Sequence, residues 1–114
     1  MLARVCDALS SEKINIYAIS SSDTVDHIVV RMVVSDPDKA MRVFEERGVL
    51  VVKNDVLMIE STNKPGSLAG LANKLAAAKI NIEYVYFATP PTAQKGLLVL
   101  RASDAKKALK ALNA

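Results

Sequence analysis

Apolar residues along the chain follow two alternating rhythms. Leu2, Val5 and Leu9 fall at helical spacing, and the β-rich runs INIYAIS and DHIVVRMVV come next. The same succession returns 66 residues later. Leu68, Leu71 and Leu75, with Ala72 and Ala78 beside them, precede INIEYVYFA and GLLVLRA. LARVCDALSSEKINI therefore overlies LAGLANKLAAAKINI, which pairs Leu2 with Leu68, Ala3 with Ala69, Val5 with Leu71 and Leu9 with Leu75. The tetrapeptide KINI ends both stretches, at positions 13–16 and 79–82. Further on the offset becomes 68, pairing Asp36 with Asp104, Lys39 with Lys107 and Ala40 with Ala108. The change predicts two extra residues in the second hairpin loop, near TPPTAQKG. The pattern is that of an internal duplication.

Each unit reads as helix, strand, strand, helix. Asp36 followed by Pro37 makes a helix N-cap and first residue, Gly48 ends that helix after about Arg47, and Ser103 or Asp104 opens AKKALKALN. Two short apolar runs, GVLVV and DVLMIES, lie between the units, with Asn54 and Asp55 as punctuation. This predicts units at 1–54 and 55–114. With DVLMIES as its first strand, the second unit matches the α+β, ferredoxin-like order βαββαβ, an antiparallel sheet with helices on one face. Against that order the first unit lacks its first strand and the second its closing strand. A longer natural chain, or strand exchange between chains, would supply them.

Half the residues are apolar (51%) and a quarter charged (24%), so a globular domain is expected rather than a disordered one. No apolar run reaches the roughly 18 residues of a membrane span, and the N-terminus has no signal-peptide pattern. Cys6 is a single cysteine and fits a reducing cytoplasm. Residues 55–114 carry eight Lys or Arg against four Asp or Glu, whereas residues 1–54 carry seven against eight. A solvated helix face bearing Lys106, Lys107 and Lys110 explains that excess more simply than an anionic partner does.

Enzyme chemistry finds little purchase. His27 and Cys6 stand alone on different elements, so no multi-ligand metal site or Cys–His pair is expected. His27 is assigned to a strand start in solvent and Cys6 to the core. Ser20-Ser21-Ser22 with Asp23 and Asp26 reads as a polar hairpin loop, and Glu45-Glu46 as a solvated helix face. GSLAG at 66–70 is neither a phosphate-binding loop nor a dinucleotide fingerprint. No catalytic residue, metal or cofactor is predicted. RNA-recognition domains share the βαββαβ order, but their third strand presents aromatic rings for base stacking. Here KGLLVLRA offers Leu97 and Val99 instead, which makes RNA binding the least favoured reading.

The segment TNKPGSLAGL at 62–71 lies between the strand DVLMIES and a helix, and Ile80-Asn81-Ile82 follows that helix. In these features the chain resembles the ACT family of amino-acid-binding regulatory domains, in particular the small stand-alone proteins with two tandem ACT units. The resemblance implies a non-catalytic regulatory module that binds a small amino acid where ACT units pair. Asn63, Pro65, Gly66, Ser67 and Leu68 would form the turn of that site. Asn15 and Ile16 would face it from the second strand of the neighbouring unit, and Asn81 and Ile82 are their equivalents in the other half-site. Read without the resemblance, Asn63, Pro65 and Gly66 make a turn and helix start, and Asn15 and Asn81 make helix-to-strand caps. A structural oligomerisation module without a ligand is the corresponding alternative.

The strand pattern also bears on assembly. Ile80, Ile82, Tyr84 and Tyr86 alternate with Val85 and Phe87, so both faces of this strand are apolar although helices can cover only one. A homodimer or larger homo-oligomer is therefore expected.

Overall fold

The computed structural model describes residues 2–23 and 26–113. In chain order these form α1 (Leu2–Ser11), β1 (Ile16–Asp23), β2 (Ile28–Val34), α2 (Pro37–Glu46), β3 (Leu57–Thr62), α3 (Ser67–Ala77), β4 (Ile82–Ala88), β5 (Lys95–Ala102) and α4 (Ala105–Asn113). The chain divides into two compact units, Met1–Asn54 and Asp55–Ala114. In the first, β1 and β2 pair antiparallel, and α1 packs against α2 over a core of Ala8, Leu9, Ile14, Ala40, Val43 and Phe44. In the second, the antiparallel sheet runs β3-β5-β4, and α3 packs against α4 over Leu75, Ile80, Leu100, Ala102 and Ala108. This is the ferredoxin-like α+β arrangement of tandem units.

The repeated KINI has a structural cause. In both copies the lysine sits in the left-handed region, with φ of 59° at Lys13 and 58° at Lys79. The Lys13 N–H donates to the Ser10 carbonyl (3.0 Å) and the Ile14 N–H to Leu9 (2.9 Å). The Lys79 and Ile80 N–H groups donate likewise to Ala76 (3.0 Å) and Leu75 (3.0 Å). This pair of bonds is the Schellman helix stop, and its usual hydrophobic contact joins Ile14 to Leu9 and Ile80 to Leu75. All four of those side chains are buried. The asparagine that follows extends the ladder by one bond, its carbonyl accepting from Ser35 or Ser103 N–H at 2.9 Å. KINI is thus a helix stop followed by a strand start.

The helices opening after the second strands repeat as faithfully. Asp36 Oδ1 accepts from the Lys39 N–H and Asp104 Oδ1 from the Lys107 N–H, each at 3.1 Å. The second hairpin is the longer one. β1 ends at Asp23 and β2 begins at Ile28, whereas Ala88 and Lys95 bound a connection longer by two residues.

Three expectations need correction. Ser20, Ser21 and Ser22 are strand rather than loop, pairing with Arg31, Val30 and Val29. Their polarity suggested a turn, but the apolar β2 opposite them carries the ladder on to Asp23. Cys6 is half-buried and lies outside the core, where Ala8 and Leu9 supply the buried residues of α1. Most consequentially, Ile82 and Tyr84 do not share a sheet face. The register shifts between them, so Ile82 opposes Ala102 while Tyr84 opposes Arg101. A bulge of this kind reverses the alternation of every residue beyond it. Ile82 therefore joins the helix-covered core. Tyr84 and Tyr86 lie with Val99, Leu97 and Met58 on the face turned from the unit's own helices. Glu83, within the bulge, accepts an ion-pair contact from the Arg101 guanidinium. The same shift occurs between Ile16 and Ala18 in the first unit.

Candidate functional site

The connection between β3 and α3 is built by its own residues. The Ser67 N–H donates to the Lys64 carbonyl at 3.2 Å, closing a four-residue turn with Pro65 and Gly66 in its centre. Gly66 has φ 89° and ψ −10°, the third-position geometry of a type II turn, which favours Pro before it and requires a residue tolerant of positive φ. No side chain caps α3. Its first ladder bond runs from the Gly70 N–H to the Gly66 carbonyl at 2.9 Å, so the N–H groups of Leu68 and Ala69 precede the ladder. Across the turn, Thr62 Oγ1 and Ser67 Oγ lie 2.6 Å apart and share a hydrogen bond. Leu68 beside them is 47% exposed.

Asn63 faces the other way. Its Nδ2 donates to the carbonyls of Ala93 (2.8 Å), Pro91 (3.2 Å) and Pro90 (3.5 Å), and its backbone N–H donates to Gln94 (2.8 Å). Two clefts flank the turn. One lies between β3 and the first half of α3, lined by Ile59, Glu60, Thr62, Gly66, Ser67, Gly70, Leu71 and Lys74. The other lies between the turn and the β4–β5 loop, lined by Thr62, Asn63, Lys64, Pro91, Gln94 and Lys95.

Comparison with known proteins gives this arrangement a family. The profile of the ACT domain pair matches residues 1–113. The chain belongs to the ACT family. No curated protein matches the sequence. Among solved structures, that of protein BT0572 from Bacteroides thetaiotaomicron is similar at 32% identity and TM-score 0.90, over 99% of this chain and 77% of that one. The regulatory subunit of aspartate kinase from Thermus thermophilus, in its ligand-free form, shares the fold at 18% identity and TM-score 0.73, over 99% of this chain and 81% of its own. The corresponding subunit from Thermus flavus does so at 20% identity and TM-score 0.64, over 98% and 80%.

Within this ACT pair, the residues singled out from sequence fall into separate places. Asn63, Pro65, Gly66, Ser67 and Leu68 form one turn. Asn81 and Ile82 lie at the opposite end of the same sheet: Thr62 pairs with Lys95 and Ile82 with Ala102, a separation of roughly 24 Å along β5 at about 3.4 Å per residue. Asn15 and Ile16 hold the same position in the first unit. There the Asn15 N–H donates to Ser35 Oγ at 2.9 Å. Sequence reasoning missed Thr62, Gly70 and Lys74 as cleft residues. Gly70 was legible in GSLAG, because it recurs one helical turn after Gly66 and leaves open space beside the strand. Among the described residues no group of three His, Cys, Asp or Glu could hold a metal ion. None of the described helices is long and apolar enough to cross a membrane.

Proposed function

We propose that this ACT domain pair is a non-catalytic regulatory module of the cytoplasm that binds a small amino acid at the turn joining β3 to α3. The observation carrying this reading is the uncapped start of α3 behind a glycine at φ 89°, which offers a cleft backbone N–H groups where a side chain would otherwise sit. The ligand carboxylate takes the first-turn N–H groups of α3, with Gly66, Ser67 and Leu68 around it, and the helix dipole favours the negative charge. Strand-edge polar groups of the type found at Asn15-Ile16 and Asn81-Ile82 take the ammonium. Asn81 and Ile82 lie too far from the turn of their own unit to serve it, so on this reading they act on the turn of another copy. The functional form is then a homodimer or larger homo-oligomer, in which ligand binding alters pairing. The fold shared with aspartate kinase regulatory subunits fits a regulatory role; the enzyme or regulator it serves is left open.

A thermal-shift screen of the natural amino acids tests the proposal. A ligand at one hundred times its dissociation constant raises stability by about 2.7 kcal/mol. The Gly66→Val variant, which puts a β-branched residue at a φ of 89° that such residues avoid, is expected to lose the response. No shift with any amino acid at millimolar concentration would favour the ligand-free oligomerisation reading. Sedimentation equilibrium at micromolar concentration checks assembly, and a 12.3 kDa species alone would contradict it.

A further inference from the structure

Alternation along β3 turns Leu57, Ile59 and Ser61 toward the helices of the second unit. An apolar core suits the first two. The third is a serine, and at 9% exposure it is the one buried polar side chain among the described residues. Burial strips a hydroxyl of its bonds to water, and a partner within the protein normally replaces them. Nearby hydroxyls that are less buried have such partners: Thr62 Oγ1 shares a bond with Ser67 Oγ, and Thr89 Oγ1 bonds the Pro90 and Lys95 carbonyls. The Ser61 hydroxyl has none among the described residues. Its neighbour in the ladder is Gly96, which brings no side chain. The serine opens instead into the cleft between β3 and α3, which it lines together with Ile59, Gly70 and Leu71. A Cβ at Gly70 would meet nothing within 4 Å, so the space beside the strand is left open. One cleft thus holds the uncapped start of α3, two apolar side chains and a buried hydroxyl in want of a partner.

We propose that Ser61 is a specificity-determining residue, whose hydroxyl selects an amino acid with a hydroxyl on its own short side chain. The proposal rests on the reading above, in which the ligand carboxylate takes the first-turn N–H groups of α3. From there the ligand side chain enters the cleft between Ile59 and Leu71 and reaches Ser61. Each hydroxyl can donate and accept, so the two satisfy one another. A threonine methyl group would lie against the apolar pair. Valine has the shape of threonine but leaves Ser61 unpaired, and a buried polar group left unpaired rejects an analogue more strongly than a lost methyl contact does.

Isothermal titration calorimetry of the full chain with threonine, valine, serine and alanine tests this. Threonine is expected to bind about tenfold or more tightly than valine, and serine than alanine. In Ser61→Ala the preference for threonine over valine should disappear while valine affinity is kept. Ligand-free Ser61→Ala should unfold at a urea midpoint no lower than the parent's, because the deleted hydroxyl has no bond to lose. A lowered midpoint would show that the hydroxyl is bonded within the protein and overturns the proposal. So does a parent that binds valine as tightly as threonine, or a Ser61→Ala variant that keeps the preference. In those two results an amino acid still binds, so the reading of the turn stands without Ser61. A parent that binds none of the four but answers another amino acid in the thermal-shift screen has the same meaning. A parent that answers no amino acid removes the reading of the turn, and this proposal with it.

Discussion

The lysine of each KINI occupies a backbone conformation that costs an L-residue about 1–2 kcal/mol, and substitution of Lys79 measures that cost. Comparing Lys79→Gly with Lys79→Ala isolates the backbone term. Both variants delete the exposed side chain and its favourable charge at a helix C-terminus. Both leave the Ile80–Leu75 contact and the two closing hydrogen bonds in place. Only glycine relieves φ 58°. Against that gain, glycine leaves the unfolded chain freer, which returns about 0.4–1 kcal/mol. Lys79→Gly should therefore be more stable than Lys79→Ala by about 1 kcal/mol. Equilibrium urea unfolding followed by circular dichroism resolves such a difference. With a slope of about 1–3 kcal/mol per molar urea, the midpoints should differ by about 0.5 M at unchanged slope. The Lys13 pair should differ by the same amount, since its φ and hydrogen bonds match those of Lys79 within 1° and 0.1 Å. An alanine variant as stable as the glycine one, at either site, would refute the helix-stop account of KINI.

Four further substitutions follow from local geometry. Gly96→Ala would place a Cβ 2.5 Å from Thr89 Cβ and 2.7 Å from the Ala88 carbonyl oxygen; a loss of about 1–3 kcal/mol in urea unfolding is expected. Gly70→Ala meets nothing within 4 Å and should stabilise α3 by about 0.5–1 kcal/mol. Because Gly70 lines the cleft beside Gly66, the same change should weaken the thermal shift given by the best amino acid, and an undiminished shift would argue against that cleft. Asp36→Ala and Asp104→Ala each remove one N-cap bond of 3.1 Å and should cost about 1 kcal/mol apiece.

Much of the fold was legible because the duplication repeats its structural residues. The letters that pair at offsets of 66 and 68 include buried core residues, Leu9 with Leu75 and Ala40 with Ala108, together with the capping aspartates. The bulge was not legible. It falls between Ile82, which opposes Ala102, and Tyr84, which opposes Arg101, and no side chain near Glu83 announces the extra residue. Strict alternation therefore put Ile82 and Tyr84 on one face, when the register shift had already turned the strand over. The three serines of β1 misled for a related reason. A strand partner decides whether polar residues pair, and that partner cannot be read from the serines themselves.

The candidate site divides along the same line. Two motifs carried the family resemblance, the N-x-P-G turn and the I-N-I strand start, and only one of them occurs in both halves of the chain. The repeated one has a backbone explanation: lysine stops the helix, isoleucine closes the contact, and the backbone carbonyl of the asparagine extends the ladder. A motif so used has little need of a ligand to account for it, although the exposed Asn15 and Asn81 side chains still stand at strand edges. The turn at 62–68 differs. A type II turn explains Pro65 and Gly66, and with glycine as its N-cap α3 begins without a side-chain cap, yet the turn does not require the Thr62–Ser67 hydroxyl pair beside it. Nor does it require Asn63 to reach 27–30 residues along the chain for its partners. These features go beyond what the turn itself needs, and they cluster around one cleft and one lengthened loop. Functional tests belong there first.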